Sequence, residues 1–155
     1  MKIPARLLCL VWAAMLIQSC SDKPTSPEAE IRAYIQSGIE AAESRSSDVL
    51  AELMHDNYTD YKGYNKKQLV GLLRAYFFRH KNIHLFTKID EIELLTENEA
   101  TVRLHVAMAG SVIADVEALS ALRARIYRFE LQLIKQDEWM LTQAVWGPAG
   151  IGDFD

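Results

Sequence analysis

The chain has 155 residues, half of them hydrophobic and a quarter charged, with a formal net charge of −4 at pH 7. That length supports one domain with a real core and is short for two. The acidic balance, without a basic stripe, argues against nucleic acid as a partner.

At the N-terminus Lys2 and Arg6 precede an apolar run from Leu7 to Ile17, and Gln18-Ser19-Cys20 follows. A basic region, a short apolar region and a small residue before a cut site predict a secretory signal over residues 1–19. Eleven apolar residues cannot span a bilayer core, which needs about 20 in a helix, so a transmembrane anchor is not expected. Ile17-Gln18-Ser19-Cys20 resembles a bacterial lipobox, in which the Cys becomes the first mature residue and carries lipid. The alternative is an ordinary signal peptide with an incidental Cys. The lipobox resemblance implies lipidation of Cys20, a tether over residues 20–27 (Cys20 through Pro27) and a stable membrane attachment by several acyl chains. By the usual sorting pattern, Ser21 after the Cys implies a bacterial outer-membrane lipoprotein facing the periplasm. Losing residues 1–19 removes Lys2, Arg6 and Cys9, so the mature charge is −6 and the only thiol is acylated. A disulfide, a thiolate nucleophile and a thiolate metal ligand are then excluded.

A domain is expected over residues 28–146. Ser26-Pro27 suits a helix start, Ser as cap and Pro at the first position, and Ile31, Ile35, Ile39 and Ala42 form a stripe at helical spacing. Ser46-Ser47-Asp48 breaks and recaps the chain, with Val49, Leu50 and Leu53 marking a short second helix. From His55 to Tyr64 no apolar period survives, and this polar, aromatic stretch reads as a loop. Asn65 with Gln68 three residues later predicts a capping box and a third helix whose core face is Leu69, Leu72, Leu73, Tyr76 and Phe77. In the run Ile83–Leu95, Ile83, Leu85, Thr87 and Ile89 share one parity while Ile92 and Leu94 share the other. The change predicts a bulge at Asp90-Glu91.

Ala100, Val102, Leu104, Val106 and Met108 alternate with polar or small residues in a second strand, and Asp115–Leu122 is expected to form a short helix or ordered loop. The best-specified element is the hairpin Ile126–Trp146. Tyr127, Phe129, Leu131 and Leu133 alternate with Arg128, Glu130 and Gln132, and Lys135–Glu138 forms the turn. In its second strand, parity changes near Thr142-Gln143, which calls for a bulge or for cover on both faces. Residues 147–155 are Gly-rich and acidic, and a loosely held tail is expected.

Helix, helix, loop, helix and four strands make an α+β domain: three N-terminal helices on a strongly curved four-stranded antiparallel sheet. The first helix, Tyr58-Thr59-Asp60, the helix ending Tyr76-Phe77-Phe78, the bulged strand and the hairpin with Asp137-Glu138-Trp139 and Trp146 resemble the nuclear transport factor 2-like, or SnoaL-like, cystatin-like cone. More narrowly, the chain resembles the small lipoproteins of that superfamily with no assigned reaction. This fold hosts isomerases, dehydratases, hydrolases and binding proteins, so it does not choose a function. Its ketosteroid-isomerase-like members place a proton-transfer Asp three residues before a Gly, which Asp60 and Gly63 match. The same resemblance implies an oxyanion donor on the first helix, for which Tyr34 is the candidate. Where it implies a second acid, this chain has Arg125.

Two catalytic candidates, Asp60 and Tyr34, thus stand beside four ligand-binding ones, Tyr58, Arg125, His105 and Trp146. Asp60 could equally cap a turn, and Tyr34 could be core. His105, beside Arg103 on a polar strand face, could be an ordinary surface imidazole. His80 and His84 have metal-ligand spacing only if both are helical, and the helix pattern ends near Arg79, so neither a metal nor a cofactor is expected. Arg103, Arg123, Arg125 and Arg128 read first as a salt-bridged sheet face, and alternatively as an Arg-lined pocket for a carboxylate or phosphate. The partners expected are the membrane through Cys20, a small-molecule ligand, and a second copy docked through the face of Arg128, Glu130 and Gln132. Function is expected to be non-catalytic ligand or envelope-partner binding. The alternative is an isomerase or dehydratase with Asp60 as general base on a small hydrophobic substrate.

Overall fold

The computed structural model describes residues 26–154. The signal, Cys20 and most of the tether lie outside the described residues. Helix α1 (Pro27–Glu43) starts as its sequence dictates: the Ser26 hydroxyl accepts from the Ala29 N–H at 3.2 Å, and Pro27 occupies the first turn. Ser46 caps the short α2 (Ser47–Glu52) in the same way. Asn65 and Gln68 form a reciprocal capping box at the start of α3 (Lys66–Arg79). The inner face of α3 is rotated from expectation. Val70 and Phe77 are buried, whereas Leu72 is 48% exposed, because α3 packs against a strand on one side and a cavity on the other.

That strand is the main correction to the sequence reading. Residues 54–60 are β1 (Met54–Asp60), not a loop, and the sheet has five strands rather than four. The others are β2 (His84–Thr96), β3 (Glu99–Ala109), β4 (Arg125–Lys135) and β5 (Trp139–Pro148), with α4 (Ala118–Ala121) between β3 and β4. Spatial order is β1-β5-β4-β3-β2. β1 runs parallel to β5, while all the other pairs are antiparallel. Only Met54, Tyr58 and Asp60 of β1 are buried, a pattern with too few apolar residues to announce a strand.

Both parity changes are bulges. Ile89 pairs with Leu104 and Glu91 with Arg103, leaving Asp90 as the extra residue. Gln143 pairs with Gln132 and Leu141 with Leu133, leaving Thr142 as the extra residue. Each bends its strand and raises the local twist. On the concave face, Ile31 and Ile35 of α1 close over Val102, Leu104, Leu133 and Trp139. Farther along, Met54, Tyr58, Val70 and Ala144 join β1, α3 and β5.

The convex face has a core of its own. Ala107, Ile113, Leu119, Ile126 and Phe154 pack there, supplied by the β3–β4 connection and the 3-10 turn Ile151–Phe154. The C-terminal segment expected to be a loose tail is therefore packed. Phe154 is 5% exposed, with its ring centroid 5.7 Å from Phe86 and 5.9 Å from His105. Phe154→Ala is expected to destabilise the domain by about 3 kcal/mol, as for other buried Phe side chains. A urea midpoint within about 0.5 kcal/mol of the parent, as for a surface site, would show that the segment dangles.

Candidate functional site

Bending the sheet while bracing it at both ends leaves an unfilled space between the concave face and the helices. The cavity measures about 450 Å³ and opens to solvent. Its walls come from alternate residues of the strands, including Leu104 and Val106 of β3, and from residues one turn apart on the helices, including Ile35 and Ile39 of α1 and Leu69 and Leu73 of α3. Met108 and Trp146 line the space without filling it, and Phe86 points to the convex core instead. Aromatic rings continue along one wall: Tyr127 meets Phe129 at 6.5 Å, Phe129 stacks on Trp146 at 6.2 Å, and Tyr61 meets Trp146 edge-on at 5.0 Å.

Few polar groups reach this space. The Tyr34 hydroxyl is already committed: it donates to the Leu53 carbonyl at 2.9 Å, an oxygen that also accepts from the Leu141 N–H. Tyr34 thereby ties α1 to the corner between α2 and β1. Burial pushes its phenol well above the ordinary range, partly offset by the Leu141 backbone, with Tyr58 adding to the rise. Tyr58 is 2% exposed, and its hydroxyl has no partner among the described residues. Burial, and then the nearby Asp60 charge, raise its phenol strongly, so both tyrosines stay neutral and keep their protons. Thr87 Oγ1, on the inward parity of β2, is likewise buried and unpartnered.

Asp60 is 5% exposed and stands outside the cavity lining, two residues beyond Tyr58 on β1. Its Oδ1 accepts from the Lys62 and Tyr64 N–H groups, each at 2.8 Å, and its carbonyl accepts from Gly63 at 2.9 Å. Gly63 takes φ of 83°, which only glycine adopts without strain, so Asp60 and Gly63 together build the turn. Asp60 Oδ2 is buried without a protein partner.

Arg125 lines the mouth on the inward parity of β4, together with Tyr76 and Tyr127. The Tyr76 hydroxyl donates to Met108 Sδ at 2.9 Å. His105 lies on the opposite face and does not reach the cavity. It sits beside Asp90, with Nδ1 2.8 Å from Oδ2, and packs on Phe154. Arg103 of β3 joins Glu91 and Glu93 of β2 and Glu130 of β4. His80 caps α3 and stacks on Tyr76, whereas His84 opens β2. The cavity thus gathers Tyr34, Tyr58, Arg125 and Trp146 and leaves out Asp60 and His105. Sequence reasoning does not nominate Thr87, Tyr76 or Tyr127 for the site, although a polar Thr87 on the otherwise apolar parity of Ile83, Leu85 and Ile89 is a signal that could have found it.

No protein-family model matches the sequence, and no curated protein matches it. Solved structures do. A domain of unknown function with a cystatin-like fold from Nostoc punctiforme superposes with TM-score 0.62 at 15% identity, covering 83% of this chain and 80% of that one. A ketosteroid isomerase-like protein from Erwinia carotovora atroseptica gives TM-score 0.59 at 14% identity, covering 79% and 95%. The fold is the nuclear transport factor 2-like cone. A nuclear transport factor 2-like protein of unknown function from Shewanella oneidensis agrees, at TM-score 0.58 and 19% identity over 78% and 98%. The nuclear transport factor 2-like fold accounts for the curved sheet, the three bracing helices and the space between them.

Removing an unpartnered buried hydroxyl removes a desolvation cost without losing a hydrogen bond. Tyr58→Phe is therefore expected to be neutral or to stabilise the domain by up to about 1 kcal/mol. Thermal unfolding checks this, and a loss of stability would mean that the hydroxyl has a structural partner.

Proposed function

We propose that this is a lipid-anchored, periplasm-facing domain whose cone binds a small hydrophobic ligand without transforming it. The observation that carries the reading is the lining itself. Among the described residues, no Asp, Glu, His or Cys lines the cavity, so the walls offer a binding surface and no group that exchanges protons near neutral pH. The unpartnered hydroxyls of Tyr58 and Thr87 support a ligand with a polar atom of its own, since each is otherwise an uncompensated buried group.

A second reading, proton transfer by Asp60, draws on its unpartnered Oδ2 and its electrostatic contact with Tyr58. It would require Asp60 to leave the turn it holds, or to act through Tyr58. The lipid anchor rests on the lipobox-like Ile17–Cys20 and the tether after it. No helix among the described residues is long and apolar enough to cross a membrane.

Gly38 on α1 offers a clean test of the binding reading. A Cβ there would meet only Leu53 Cδ1, at 3.9 Å, and the residue lines the cavity. Decanol, a neutral apolar probe, is expected to raise the melting temperature of the parent in proportion to its occupancy. Gly38→Phe is expected to keep the fold and, by placing a ring in the open cavity, to weaken decanol binding by about tenfold, or about 1.4 kcal/mol. Equal decanol response in the two proteins would place the ligand elsewhere. For the anchor, Cys20→Ser is expected to abolish incorporation of labelled palmitate, and persistent labelling would refute it.

A further inference from the structure

Arg125 is a charge that a wholly apolar ligand would not need. It begins β4 on the inward parity, opposite Met108 of β3, and is itself exposed at the cavity mouth. Its positive charge acts on the Tyr76 phenol, which places the guanidinium near the rim formed by Tyr76 and Tyr127. Among the described residues, no carboxylate lies within ion-pair distance of Arg125, although acidic residues outnumber basic ones by 21 to 17. Arg103, by contrast, sits among three glutamates. The Tyr76 hydroxyl donates to Met108, which leaves Arg125 as the cationic donor of the mouth.

We propose that the ligand is a single-chain amphiphile whose anionic head, a carboxylate or phosphate monoester, pairs with Arg125 while its chain fills the cone. This rests on the cone being a binding cavity. The planar guanidinium fork suits two oxygens of one anion. The space of about 450 Å³ lies within the roughly 300–1,000 Å³ of small-molecule sites, which suits a single medium-length chain with its head at the rim. Tyr58 and Thr87 lie deeper and can meet a hydroxyl or keto oxygen on the chain.

The test is calorimetric titration of the purified full chain with decanoate, decyl phosphate, decanol and decylamine, each below its micellar concentration. At least one of the two anions is expected to bind about tenfold or more tightly than decanol, the effect of one charge-assisted contact, with decylamine weakest. Tighter decanoate identifies a fatty-acid type of ligand, and tighter decyl phosphate a phosphate type. Arg125→Met should bring the favoured anion down to the decanol level and leave decanol unchanged. Arg125→Lys, which keeps the charge and loses the fork, should retain part of the preference. If both anions and decanol bind alike and Arg125→Met changes nothing, the head-group inference is overturned while the cavity reading stands. If none of the four binds, the cavity reading fails, and this inference fails with it.

Discussion

A flat five-stranded sheet would press its helices against the whole of one face and leave no interior space. Here two single-residue offsets within the long strands, Asp90 in β2 and Thr142 in β5, add twist and bend to the sheet. Once the sheet curves, straight helices can touch it only at its margins. α1 meets it through Ile31 and Ile35, and α3 through Val70 against Met54, Tyr58 and Ala144. The space between is a consequence of geometry, and everything argued about function depends on it.

Polar groups around that space divide into those already committed and those left over. Tyr34 is spent on the Leu53 carbonyl, and Asp60 Oδ1 on two N–H groups of its own turn. Both side chains resemble catalytic candidates in type and position, yet each has a structural partner that explains it. Among the described residues, Tyr58 and Thr87 lack such partners, and no carboxylate lies within ion-pair distance of Arg125. The leftover set is one cation at the rim, neutral hydroxyls within, and the buried Asp60 Oδ2 just outside the lining.

The convex face is bound up in the same economy. The long β3–β4 connection and the final turn cover Phe86, Ala107 and Ile126, so this side of the sheet is a second small core. His105 belongs there, between Asp90 and Phe154. The bulge residue Asp90 thus lies beside the same imidazole that packs on Phe154 of the final turn.

What the sequence determined by itself was whatever depends on near neighbours in the chain. Ser26-Pro27, Ser46 and the Asn65–Gln68 box marked three helix starts, because capping involves residues three apart. Alternation along β3 and β4, and its interruption in β2 and β5, foretold strands and bulges, since the pleat has a period of two. β1 was invisible in these terms. Its pairing with β5 joins residues more than 80 positions apart, and it buries Met54, Tyr58 and Asp60 without an apolar rhythm. The rotation of α3 that exposes Leu72 and buries Val70, and the docking of Phe154, were likewise set by long-range packing. So was the fate of each candidate side chain. Residue type and spacing nominate Asp60 first, and Tyr34, His105 and Arg125 after it. Only the folded chain decides that the first two are held by backbone groups, the third faces the wrong way, and the fourth stands at the mouth of an apolar space.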